Sequence, residues 1–200
     1  MKNIFKEALI ESINIKSELK DKKFTDIFTN MGDLMVKTII NKKKILFCGN
    51  GGSAADAQHL AAELLVRLRP MVNRDPIPAI ALAMDTSTIT ACGNDFGFER
   101  LFERNLLALG QKGDVLVCIS TSGMSKNIEL AAIAAKKVGV KTIAFLGNDG
   151  GILKNVCDYS FIIPSKNTAR IQECHILLGH SLMEYLEEQL LHKKYIKKLQ

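Results

Sequence analysis

Two hundred residues, 47% hydrophobic and 24% charged, suit one globular domain with a substantial core and leave little room for a second. Lys and Arg outnumber Asp and Glu by 27 to 21, and the excess of +6 gathers in short runs, "KDKK" at 20–23, "KKK" at 42–44 and "HKKYIKK" at 192–198. Such runs read as solvated helix ends and turns, with nucleic acid or an acidic surface as the alternative partner; Trp is absent, which argues against a stacking platform for single strands. No apolar run approaches the roughly 18–20 residues that cross a bilayer, so no membrane role is expected.

In chain order, Ile4, Phe5, Ala8, Leu9 and Ile13, then Phe24, Ile27, Phe28, Met31, Leu34, Met35 and Ile39, recur at three- and four-residue steps and predict two amphipathic helices. The first twenty residues mix acids and bases among their apolar side chains, unlike a signal peptide. After residue 43 the pattern changes: apolar runs at 45–48, 79–84, 115–120, 142–146 and 160–164 alternate with helix-like stretches at 53–68, 97–109, 125–138 and 168–191. Continuous apolar strands between helices predict an α/β fold, a doubly wound five-stranded parallel sheet covered on both faces. Gly110 and Gly139 fall where helices should stop, and "GDV" at 113–115 reads as a turn into a strand. The five cysteines, at 48, 92, 118, 157 and 174, form no C-x-x-C pair and read as reduced core residues of a cytoplasmic protein.

A sheet of this kind binds ligands beyond the carboxyl ends of its strands. The loops to read are therefore "CGNGGS" after the first strand, "DTSTITACGNDFGF" after the second, "STSGMSKN" after the third and "GNDGG" after the fourth. The third places Ser120, Thr121, Ser122 and Ser125 around Gly123 just ahead of a helix, where hydroxyls, backbone N–H groups and the helix dipole suit a dianionic phosphate. One helix cap would account for only one of these hydroxyls. No Lys completes a nucleotide P-loop, so the ligand expected is a sugar phosphate. "GNGGS" departs from G-x-G-x-x-G at Ala54, and no acid follows about twenty residues on; no nucleotide cofactor is expected. Its glycines still allow close backbone approach, with Asn50 and Ser53 at the edge.

His59 and Glu63 are four apart on the helix that begins at this glycine loop, hence one turn apart on one face. The last helix carries Gln172, Glu173, His175 and His180; Gln172 and His180 edge one broad face about 12 Å long. His180 sits between Leu178, Gly179 and Leu182, a setting that, taken alone, reads more often as a satisfied core histidine. A carboxylate and a histidine at the edge of a phosphate pocket are the tools for moving a proton between adjacent carbons.

Four stretches, "CGNGGSAADAQHLAAEL", "GNDFGFERLFERNL", "GDVLVCISTSGMSKNI" and "RIQECHILLGHSL", together with two leading helices, resemble the sugar-isomerase (SIS) family and, within it, the phosphoheptose isomerases. The resemblance runs through about residues 44–190. It implies a single SIS domain over 1–200, with 1–43 as helices for packing and oligomerisation and 44–192 as the α/β core. It further implies an aldose–ketose isomerase that interconverts sedoheptulose 7-phosphate and D-glycero-D-manno-heptose 7-phosphate through an enediol. That reaction is the first step toward the ADP-heptose of lipopolysaccharide or capsule.

Carried over position by position, the resemblance makes Glu63 the base and His180 its acid/base partner, with Ser120, Thr121, Ser122 and Ser125 on the phosphate. Asn50, Gly51, Gly52, Ser53, Asn94, Asp95 and Gln172 would line the sugar site, and Arg67, one turn after Glu63, would also face the substrate. It implies a zinc ion on His59, Glu63, Gln172 and His180, and a homotetramer with sites at subunit interfaces. The residues alone neither require nor exclude the metal, because two His and a carboxylate suit zinc whereas Gln is an uncommon ligand.

"NTARIQE" departs from the isomerases, which often have Asp where Ala169 stands. In this it is similar to a non-catalytic scaffold of the same fold that binds the replication initiator DnaA. That relative lacks the counterparts of Glu63 and His180, and their presence here favours the enzyme. A sugar-phosphate binding module is a further alternative, and it would not need Glu63.

Overall fold

The computed structural model describes residues 3–82 and 85–198. Helices α1 (Ile4–Glu18) and α2 (Lys22–Ile40) lead the chain, as the apolar spacing predicts. The Asn3 side chain accepts from Lys6 N at 3.0 Å and starts α1. Then follow β1 (Ile45–Gly49), α3 (Gly52–Leu65), β2 (Ala79–Ala81), α4 (Thr86–Phe96), a 3-10 turn at Phe98–Arg100 and α5 (Leu101–Leu109). The chain continues through β3 (Val115–Ser120), α6 (Lys126–Val138), β4 (Lys141–Leu146), the single turn α7 (Leu153–Val156), β5 (Tyr159–Ile162) and α8 (Thr168–His192).

All five strands pair in parallel, in the order β2-β1-β3-β4-β5. Alternate strand residues feed two layers. Ile45, Phe47, Val115, Val117, Ile143 and Phe145 pack against α2, α3 and α8; Leu46, Cys48, Leu116, Cys118 and Ala144 pack against α5 and α6. The direction of winding reverses between β1 and β3, which opens a crevice at their carboxyl ends.

Gly139 ends α6 in the left-handed conformation, at φ 76°, and Gly110 follows α5. The "GDV" turn is pinned by Asp114, whose buried carboxylate takes Lys44 Nζ at 2.6 Å, Lys44 N at 3.0 Å and Gln111 N at 2.8 Å. Lys44, at the end of a run read as solvated, therefore has a buried partner. All five cysteines are buried and free. Among the described residues no helix is long and apolar enough to cross a membrane.

Three expectations are corrected. "DTSTITACGNDFGF" is largely helix rather than loop: Asp85 Oδ1 caps Thr88 N at 2.7 Å and α4 runs to Phe96. Its fully buried side chain is Cys92 alone, so it has no apolar stripe for periodicity to find. The 53–68 helix ends at Leu65, where Val66 leaves helical geometry, so Arg67 is not one helical turn beyond Glu63. The second strand is three residues long, and positions 83 and 84 of the predicted run lie outside the described residues.

Candidate active site

Two loops meet at the crevice between β1 and β3. Asn50, just past β1, and Asn127, in the first turn of α6, exchange side-chain amide hydrogen bonds of 2.9 and 2.8 Å. Asn127 is buried and lies within the quoted third loop, yet sequence reading gave it no role because the pairing spans the sheet. Gly51 precedes α3 at φ 57°, and buried Ser53 sits in the first turn of that helix.

Ser120 closes β3 and is buried; its Oγ lies 3.1 Å from Ser125 Oγ and accepts from Gly123 N at 3.2 Å. Ser122 Oγ accepts from Met124 N at 3.2 Å. Ser125 is the N-cap residue of α6, yet its side chain makes no capping bond, so helix capping does not account for that hydroxyl. Gly123 has φ 67°, and a Cβ there would strike the Gly150 carbonyl, so the loop after β3 is locked against the loop after β4. Thr121 follows, half-buried, with its carbonyl accepting from the Asn148 side chain at 3.4 Å.

Helices α3 and α8 run side by side. A Cβ on Gly52 would collide with the Gln172 amide, so Gln172 lies over the start of α3; a Cβ on Gly179 would meet Leu60. Farther along, His59 and His180 face each other with ring centroids 5.0 Å apart at 66°, and their Nε2 atoms are 2.8 Å apart. Glu63 Oε1 lies 3.2 Å from His59 Nε2. Burial lowers the His180 pKa, the nearby His59 lowers it further, and Glu63 opposes both. His180 is half-buried at the edge of the core and is not a core histidine. That description fits His175, which is fully buried with Nε2 3.1 Å from the Leu146 carbonyl and a pKa lowered to about 4 by burial.

One ligand atom from each of His59, Glu63 and His180 falls within 4.8 Å of the others, a convergence of two imidazoles and a carboxylate that suits a divalent metal. Gln172 lies about two turns up α8 from His180. Asp56, one turn before His59 on α3, has one carboxylate oxygen buried without a hydrogen-bond partner, and burial raises its pKa. Sequence reading overlooked it.

Asn94 and Asp95 end α4, exposed, and bond to each other at 2.7 Å. Arg67 is likewise exposed. Ala169 stands in the exposed first turn of α8, three residues before Gln172.

A five-stranded parallel sheet between helix layers, with a hydroxyl-rich loop after β3 and a His/Glu/His cluster between α3 and α8, is the layout of a SIS domain, and the SIS-domain pattern matches residues 10–147. The phosphoheptose isomerase of Clostridium acetobutylicum is 45% identical over 195 residues, 97% of this chain and 98% of that relative. That of Nitratiruptor sp. is 54% identical over 155 residues, 78% of this chain and 82% of the relative. Among solved structures, the phosphoheptose isomerase of Neisseria gonorrhoeae superposes with a TM-score of 0.85 at 42% identity, covering 92% of this chain and 97% of the other. The one from Francisella tularensis gives 0.88 at 37% identity, covering 94% and 100%. The chain belongs to the phosphoheptose isomerase family of SIS-domain proteins.

Proposed function

We propose that this protein is an aldose–ketose isomerase that interconverts sedoheptulose 7-phosphate and D-glycero-D-manno-heptose 7-phosphate, supplying a heptose phosphate for lipopolysaccharide or capsule. The observation that carries the reading is the meeting of Glu63 and His180 at His59, through contacts of 3.2 and 2.8 Å, in a chain of the phosphoheptose isomerase family.

Ser120, Thr121, Ser122 and Ser125 hold the phosphate with the N-terminus of α6 behind them. Asn50, Gly51, Gly52, Ser53 and Gln172 lie along the adjoining rim where the sugar hydroxyls would rest. The Glu63 carboxylate takes the proton from C1 of the ketose, and the electron pair of that C–H bond forms the C1–C2 double bond of the enediol. Return of the proton to C2 gives the aldose, while a neutral His180, which in the metal-free site can both donate and accept, moves the hydroxyl proton between O2 and O1.

Zinc fits His59, Glu63 and His180 by donor type and convergence, and the family resemblance would add Gln172 as a fourth ligand. When bound it would polarise the carbonyl oxygen. A carboxylate has two oxygens, so ligation through one leaves the other for the proton.

A homotetramer is part of the same reading. Ile4 and Phe5 are each 78% exposed, and Leu9, Ile10 and Ile13 extend that apolar surface along α1. Asn94, Asp95 and Arg67 are exposed, and in this reading they face a site completed by a second subunit.

Proton NMR with sedoheptulose 7-phosphate in D₂O tests the assignment. An aldose signal with deuterium at C2, lost in Glu63→Gln and His180→Ala, is expected. Absence of turnover with and without added zinc would overturn it in favour of a scaffold or binding module.

A further inference from the structure

The segment after α3 turns back to place Arg74, 3% exposed, beneath the carboxyl end of that helix. Helix ends leave carbonyl groups without partners, and here a buried guanidinium supplies them. Arg74 Nη2 donates to the Glu63 carbonyl at 2.8 Å, and Nη1 donates to the carbonyls of Leu64 at 2.7 Å, Asp75 at 3.1 Å and Val66 at 3.4 Å. Its Nε donates to Glu187 Oε2 at 2.9 Å. Glu187 belongs to α8, about two turns beyond His180, and is itself 1% exposed. Its other oxygen takes Arg69 Nε at 2.7 Å, and Arg69 reaches Glu184 and Glu188 on the outer face of α8.

We propose that Arg74 and Glu187 form a positioning pair for the reaction, tying the carboxyl end of α3 to α8 so that His59 and Glu63 are held at a fixed separation from His180. The inference rests on the isomerase reading for its kinetic consequence but on geometry for its substance. Gln172 over Gly52, Gly179 against Leu60 and His180 against His59 register the two helices directly, and Arg74, past the end of α3, reaches Glu187 beyond them. Arg69 shares Glu187, but Arg74 also holds the Glu63 and Leu64 carbonyls at the end of α3, which makes it the tie from that end to α8 below the histidine pair. Stability does not by itself explain the ion pair, because burying two charges costs about as much as their attraction returns, and apolar replacements of similar volume are often neutral. Arg rather than Lys is required, since only a planar fork serves the carboxylate and the carbonyls together.

The test compares wild type with Arg74→Met/Glu187→Leu and with Arg74→Lys, by steady-state kinetics on sedoheptulose 7-phosphate and by crystal structures of all three. The double variant is expected to fold, with kcat reduced about 10–100-fold, KM changed less than about threefold and a widened His59–His180 separation. Arg74→Lys is expected to show the same loss and the same widening, because an ammonium cannot replace the fork, and it decides the matter if the double variant does not fold. Folded variants with wild-type kcat, or with an unchanged His59–His180 separation, overturn the proposal. If wild type itself shows no turnover, the functional reading fails, and the separation in the crystal structures alone upholds or overturns the positioning pair.

Discussion

The Nε2 atoms of His59 and His180 lie 2.8 Å apart across 121 residues of chain, so one ring donates its proton and the other accepts it. Protonating both would place two like charges in contact, and burial together with His59 already lowers the His180 pKa. A neutral His180 is needed to carry a hydroxyl proton both ways. The acid limb of kcat is therefore expected below pH 6.5, the ordinary histidine value. A pH–rate profile checks this, and a limb centred above 7 would remove His180 from the role.

Ser120 is buried with its hydroxyl beside Ser125 and Gly123 N, so it offers a fixed group to the phosphate proposed to bind this loop. A hydrogen bond to a charged group contributes roughly 1.5–3 kcal/mol. Ser120→Ala is expected to lower kcat/KM about 10–100-fold, mostly through KM, while the same variant assayed by inorganic phosphate competition shows a correspondingly weaker inhibition constant. Equal KM values for the two proteins would place the phosphate elsewhere.

Zinc that binds the folded His/Glu/His cluster and not the unfolded chain raises stability by about 2.7 kcal/mol when free metal is a hundred times its dissociation constant. Thermal unfolding with and without zinc is expected to show an upward shift that His59→Ala abolishes and a chelator reverses. No shift at saturating metal would argue for metal-free turnover.

His175 couples stability to pH. Its Nε2 donates to the Leu146 carbonyl inside the core, and burial lowers its pKa to about 4, against 6.5 in an unfolded chain. Between those values the unfolded state binds a proton that the native state does not, so stability falls as pH falls. This one group is expected to cost about 2 kcal/mol between pH 7 and pH 5. Urea unfolding of wild type and His175→Gln at both pH values measures it; the variant, which keeps a donor for Leu146, should lack that share of the pH dependence.

The strands and most helices were legible because buried parallel strands are continuous apolar runs and covering helices repeat every three to four residues. The four hydroxyls crowded at the start of α6 were legible because they are neighbours in the chain. Helix α4 was missed because it buries little beyond Cys92, and the early end of α3 was missed because the partner of its last carbonyls, Arg74, lies outside the helix. His175 and His180 share one helix and similar apolar neighbours, and the chain alone left open which was core and which faced the crevice.

The sequence by itself determined the class of fold, the order of its strands and most of its helices, since these follow from periodicity and from residue types close together in the chain. Tertiary structure alone decided which groups meet: His59 with His180, Asn50 with Asn127, Arg74 with Glu187. Each pair joins segments far apart in sequence, and their contact depends on how helices seat on a twisted sheet, a property of side-chain packing across the whole core that no local pattern encodes.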